Sequence, residues 1–135
     1  MRAADFLDTN VIIYAWSADA ARKSVALDLL AGSPVISTQV LNEAISVCRR
    51  KHLMPDAAIG RAIDDLAAWC RVSQIDMDTI KLALNLTNRY QFSYYDALIV
   101  ASALEAECAT LYSEDMQHGQ VIDEALKIVN PFLPA

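Results

Sequence analysis

Apolar residues recur along this chain with two alternating periods, and the alternation lays out its elements. Ala3 to Leu7 reads as a short buried strand. Asp8-Thr9-Asn10 follows as a turn whose small polar side chains suit a helix start, so Val11 to Trp16 is expected to be helical. A second helix is expected from Ala20 to Leu30, stopped by Gly32-Ser33-Pro34, with a strand over Val35 to Ser37. Thr38 is placed to cap a helix over Gln39 to Lys51. Pro55 sits where a helix start tolerates proline, and Ala58, Ile59, Ala62, Ile63 and Leu66 carry a helical stripe as far as Trp69. Arg71 to Ile75 is strand-like, Asp78 to Tyr90 and Tyr94 to Glu105 are helical, and Ala109 to Tyr112 and Leu126 to Val129 are strand-like. Met116 to Glu124 follows no local pattern. Strands alternating with helices predict an α/β protein with a mainly parallel central sheet covered on both faces, a three-layer α/β/α sandwich. No repeat or linker interrupts residues 1–135, so one domain is expected.

Composition narrows this picture. The chain is 55% hydrophobic and 21% charged, with three Gly and four Pro, as expected of a helix-rich globule. Cys48, Cys70 and Cys108 are odd in number and widely spaced, which suggests reduced core residues and a cytoplasmic location rather than a disulfide framework. Trp16 and Trp69 are expected in the core, and His52 and His118 at the surface. The longest strongly apolar stretches, Val11 to Trp16 and Ala97 to Leu104, fall far short of the roughly 20 residues that span a bilayer. The N-terminus runs directly into a strand-like segment, so neither a signal peptide nor a membrane span is expected.

The formal net charge of −6 argues against a protein that coats nucleic acid nonspecifically, since such binding draws on Lys and Arg neutralising phosphates. Carboxylates gathered to hold a cation would contribute such a charge, and a local basic patch can still guide a phosphate backbone. The one dense basic run, Arg49-Arg50-Lys51-His52, reads equally as a solvated helix end favoured by the helix dipole or as an RNA-binding patch.

Four acids stand out, each with an ordinary alternative. Asp8 lies just past a strand, where an Asx turn or helix cap is the common role. Glu43 sits at the edge of the apolar arc formed by Val40, Leu41, Ala44, Ile45, Val47 and Cys48, so its carboxylate is expected to be partly desolvated. Asp96 opens a helix that is apolar nearly all round, although Ser93-Tyr94-Tyr95-Asp96 also has capping-box spacing. Asp115 lies in a polar stretch that would otherwise be a solvated turn. Held together near neutral pH, such carboxylates repel one another unless protons or a cation compensate. A divalent ion is the natural compensation. Mg²⁺ needs only one or two direct carboxylates, and other acids then orient its waters. That chemistry suits phosphodiester hydrolysis.

With those residues in place, the chain resembles the PIN-domain family, and in particular the VapC-type toxins of bacterial toxin–antitoxin pairs. The likeness covers nearly its whole length. It is carried by Phe6-Leu7-Asp8-Thr9-Asn10-Val11, Asn42-Glu43, Tyr95-Asp96-Ala97-Leu98-Ile99 and Leu111-Tyr112-Ser113-Glu114-Asp115. The resemblance implies a metal site of Asp8, Glu43, Asp96 and Asp115, with Asn10 and Ser113 as accessory polar residues. Whether Glu114 shares the role of Asp115 stays open. It further implies a Mg²⁺- or Mn²⁺-dependent endoribonuclease that cleaves structured RNA, a homodimer, and a small VapB-type antitoxin that inserts a segment into the catalytic groove. A housekeeping RNA-processing nuclease and a non-catalytic partner-binding module are the competing readings. An aspartyl-phosphate phosphatase is disfavoured, since that class requires a second Asp two residues after the first, and the position holds Asn10.

Overall fold

A computed structural model describes residues 3–134. Its strands are short. β1 (Asp5–Leu7), β2 (Val35–Ser37), β3 (Arg71–Ser73), β4 (Thr110–Tyr112), β5 (Val121–Ile122) and β6 (Leu126–Val129) form one sheet in the order β3-β2-β1-β4-β6-β5. Every neighbouring pair is parallel except β5 and β6. The helices are α1 (Thr9–Ala15), α2 (Ala20–Ala31), α3 (Thr38–Lys51), α4 (Asp56–Trp69), α5 (Met77–Arg89) and α6 (Tyr94–Glu105). The result is the expected α/β/α sandwich. α1 packs on α2 and α3, α3 on α4, and α5 against α6.

Strand order decides where a site can form. From β1 the chain builds outward through β2 and β3, then returns to lay β4 on the other side of β1. That reversal is a topological switch point, where open α/β sheets leave a crevice beyond the carboxyl ends of the strands. The register Leu7↔Tyr112 brings β1 and β4 to their ends together, and the Asp8 amide donates to the Tyr112 carbonyl at 3.0 Å. Asp8 and Ser113 therefore emerge side by side.

The core explains why so few strand residues suffice. Phe6, Leu7, Ile36, Leu111 and Ile128 are fully enclosed in the sheet. α6 buries every residue from Ala97 to Ala103, as its nearly continuous apolar surface requires, and its Ser102 hydroxyl donates to the Leu98 carbonyl rather than remaining unpaired. Cys48, Cys70 and Cys108 are buried free thiols. Among the described residues, no helix is long and apolar enough to cross a membrane.

Four expectations are corrected. Ser37, not Thr38, caps α3: its hydroxyl accepts from the Val40 amide at 3.3 Å, while the Thr38 hydroxyl is engaged by the Ile75 amide at 3.2 Å. Trp69 is 50% exposed rather than in the core, because the last turn of α4 carries it past the layer that Leu66 buries. Trp16 packs partly buried against the core, as expected. Within Met116 to Glu124 lies the unforeseen strand β5, joined to β6 by a turn in which Asp123 and Glu124 both take positive φ, at 50° and 56°. Strand limits are also shorter than expected at Ala3 to Leu7 and Arg71 to Ile75.

Candidate metal centre

Asp8 is the centre of the site. Its backbone caps α1 and its carboxylate accepts from the Thr9 amide at 2.7 Å, so the ordinary capping role is real. The same carboxylate accepts from the fully buried Ser113 hydroxyl at 2.8 Å and, more weakly, from the Asn10 amide at 3.4 Å. Asp8 is 5% exposed, and burial is the largest influence on it. Its pKa is pushed up to about 7, opposed by the Ser113 and Thr9 hydrogen bonds and reinforced by the negative charges of Asp96 and Glu43.

The other acids converge on it through short polar links. Glu43, half-buried on α3, accepts from the Thr9 hydroxyl at 2.6 Å. Asp115 is exposed and accepts from the Asn10 amide at 3.1 Å, so the Asn10 side chain bridges Asp8 and Asp115. Asn10 Oδ1 in turn accepts from the Glu114 amide, and Ser113 Oγ accepts from the amides of Asp115 and Met116. Asp96, half-buried in the first turn of α6, has its pKa raised chiefly by burial. The Ser93 hydroxyl acts the other way, and the charges of Glu43 and Asp115 add to the rise. Ser93 also accepts from the Asp96 amide at 3.2 Å, half of the anticipated capping box.

All four acids, with Asn10, line one cleft of about 520 Å³. Ser113 lies beneath it rather than on its wall. Arg50 and Lys51 reach the same cleft, whereas Arg49 points to Asp56, 3.9 Å away. The basic run is therefore divided between a solvated ion pair and the cleft. Glu114 also lines the cleft, but its carboxylate is held by the Tyr14 hydroxyl at 2.7 Å and by Arg22 at 3.4 Å. Among the described residues Asp115 forms no ion pair, and it lines the cleft with the other acids, which separates the two neighbours by their partners.

Thr9 is the site residue that sequence reasoning missed. Read as a turn residue, it spans 34 positions of sequence to fix Glu43 beside Asp8. A capping run offers no signal for such a long-range bond.

The donor set suits a hard cation. Among the described residues, no Lys or Arg forms an ion pair with Asp8, Glu43, Asp96 or Asp115, and each negative charge is met only by hydroxyl or amide donors. Among those residues, no group of three or more His, Cys, Asp or Glu is arranged to hold a metal ion as it stands. Mg²⁺ needs only one or two direct carboxylates and fills its remaining positions with water, so it is the kind of ion these acids would suit.

The family model for the PIN domain matches residues 6–123. The chain belongs to the PIN domain family. Solved structures share the fold of this PIN chain at low identity. A toxin–antitoxin complex from Klebsiella pneumoniae superposes with a TM-score of 0.74 at 21% identity, over 96% of this chain and 98% of that one. VapC20 of Mycobacterium tuberculosis, described as a toxin that cleaves the sarcin–ricin loop, gives 0.64 at 23% identity, over 83% and 92%. VapBC2 of Rickettsia felis, bound to a fragment of its promoter DNA, gives 0.66 at 20% identity, over 94% and 99%. No curated protein sequence matches the PIN chain.

Proposed function

We propose that this PIN domain is a Mg²⁺- or Mn²⁺-dependent endoribonuclease, the toxin of a toxin–antitoxin pair, with Asp8, Glu43, Asp96 and Asp115 as its metal-holding acids. The observation that carries the reading is Asp8: a buried carboxylate at the switch point, facing further acids and balanced by no cation among the described residues. Capping α1 does not require a carboxylate so deeply buried, whereas a metal ligand recovers the cost of burial on loading.

When bound, the ion supplies Lewis acidity to the phosphodiester and acidifies water beside it. The chain does the rest. With a metal in place Asp8 would be held as the carboxylate, and its Ser113 and Thr9 bonds keep both carboxylate oxygens aimed. Thr9 holds Glu43 and Asn10 holds Asp115, so the acids need little reorganisation. Arg50 and Lys51 draw the phosphate backbone into the cleft without cancelling the acids. His52 and His118 take no part: His52 ends α3, and the His118 Nδ1 accepts from the Asn130 amide at 2.9 Å.

A small VapB-type antitoxin and a homodimer complete the proposal. The similar Klebsiella pneumoniae structure is a toxin–antitoxin complex, and the Rickettsia felis one is VapBC2 on promoter DNA. On this chain an apolar cleft of about 310 Å³, lined by Trp16, Leu27, Leu30, Met54 and the exposed Trp69, supports a partner that covers apolar surface.

The test is cleavage of a total RNA pool, with and without Mg²⁺ or Mn²⁺, by the wild-type chain freed of any partner and by Asp8→Asn. Cleavage that requires both metal and Asp8 is expected. Equal cleavage by the two proteins would overturn the site, and a wild-type chain inert toward RNA and metal would make the fold a binding module.

A further inference from the structure

A second cleft of about 400 Å³ opens on the far side of the acids. It shares Asp96 and Asp115 with the first, so the two clefts meet along those carboxylates. Its remaining walls are chemically different. Where the first cleft carries Arg50 and Lys51, the second carries the aromatic rings of Tyr90 and Phe92, the thioether of Met116 and the carboxamides of Gln117 and Gln120. Its one cation, Arg89, is already committed to the Asp123 carboxylate and to Asn85.

This wall is also built in advance. The Tyr90 hydroxyl donates to Asp123 Oδ1 and accepts from the Asp123 amide, both at 3.1 Å. Arg89 lies over the Tyr90 ring, 5.4 Å from its centroid, and Phe92 packs against Tyr90 with ring centroids 5.8 Å apart. The unusual positive-φ turn at Asp123 and Glu124 is what brings Asp123 to these partners. A volume of this size falls within the range of small-molecule pockets, roughly 300–1,000 Å³.

We propose that the second cleft is a nucleobase subsite, in which the base flanking the scissile phosphate of single-stranded RNA inserts among Tyr90, Phe92 and Met116 and is read by Gln117 and Gln120. The inference rests on the nuclease reading above and extends it. An RNA strand crossing the acids has its phosphates on the basic side and needs somewhere to place the adjoining base. Aromatic faces stack any base, whereas carboxamides present a donor and an acceptor in fixed relation and so distinguish one base edge from another. The cleft that binds charge and the cleft that reads identity are thus separate, with the carboxylates between them.

Two readouts test this on the full chain. Short single-stranded RNA carrying 4-thiouridine is cross-linked to the uncleaving Asp8→Asn protein, and wild type is compared with the double substitution Gln117→Ala and Gln120→Ala for base preference beside the cut in a randomised RNA. Cross-links on Tyr90, Phe92 or Met116 are expected, and the double substitution should relax the preference at one position by about tenfold, the value of one lost hydrogen bond with its partner left unpaired. Cross-links confined to the Arg50 and Lys51 side, or an unaltered preference, overturn the subsite while leaving the nuclease standing. Cross-links in the second cleft from a wild-type protein that cuts no RNA overturn the nuclease and leave the subsite. Unchanged RNA cross-links with loss only of a bound protein would make the cleft a protein-docking site and overturn the inference.

Discussion

This molecule treats its acids in two opposite ways. At the surface, Asp19, Asp56 and Asp123 each meet an arginine, respectively Arg22, Arg49 and Arg89. Asp19 and Asp123 consequently titrate below the usual carboxylate range, Asp19 chiefly through the Arg22 backbone amide and Asp123 chiefly through the Arg89 guanidinium. In the cleft, Asp8 and Asp96 titrate high, driven first by burial and then by neighbouring carboxylates, Asp96 and Glu43 acting on Asp8 and Glu43 and Asp115 on Asp96. There the partners are Thr9, Asn10 and Ser113, neutral donors that orient a carboxylate without neutralising it. Among the described residues, Arg is supplied to the surface acids and none to Asp8, Glu43, Asp96 or Asp115, and that contrast supports the proposed metal site.

The largest expected effect lies in the cleft. Asp8→Asn or Asp96→Asn should lower metal-dependent RNA cleavage about a thousandfold or more, since metal stabilisation of the transition state is worth several kcal/mol; single-turnover kinetics on one RNA would measure it. Next comes Thr9→Val, which keeps the shape but frees Glu43. It should weaken Mn²⁺ binding by about 10–100-fold, and Thr9→Ser should restore it, as expected of a residue that orients a ligand.

The stability of the metal-free protein sharpens the contrast further. An unfolded Asp titrates near 3.9, whereas folded Asp8 titrates at about 7, so the native state holds that proton more tightly. Its contribution to stability is fully present below pH ~4 and is lost as pH rises through 7, at a cost of roughly 4 kcal/mol before relaxation. Asp8→Asn in chelator should therefore stabilise the protein at pH 8 by about 1–3 kcal/mol, less than the full cost because Ser113 loses its anionic partner. Denaturant melts at pH 5 and pH 8 would read the difference, which should be small at the lower value. A variant less stable than wild type at pH 8 would contradict the electrostatic account. The smallest effect belongs to the surface: Arg49→Gln should change stability by less than about 0.5 kcal/mol, measured in the same melts.

Much of this was legible in the sequence because the deciding signals are local. The buried run after Tyr95 predicts α6, the apolar strand before Asp8 predicts β1, and the four acids follow motifs of fixed spacing. The missed features depend on contacts distant in sequence. Thr9 acts on Glu43, and Glu114 is distinguished from Asp115 only by Tyr14 and Arg22, about a hundred residues earlier. The turn after β5 lacks the Gly or Asn that normally marks left-handed positions, its Asp123 being held instead by Arg89 and Tyr90. Trp69 is apolar by type, yet its exposure depends on where α4 ends relative to its neighbours.

The most direct test of the uncompensated acids is isothermal calorimetry of Mn²⁺ binding to the wild-type chain and to Asp8→Asn near neutral pH, in two buffers of different ionisation heat. The account predicts a saturable site in wild type that releases a proton on loading and is weakened at least tenfold in the variant. Equal binding by the two proteins, or none by wild type, would contradict it.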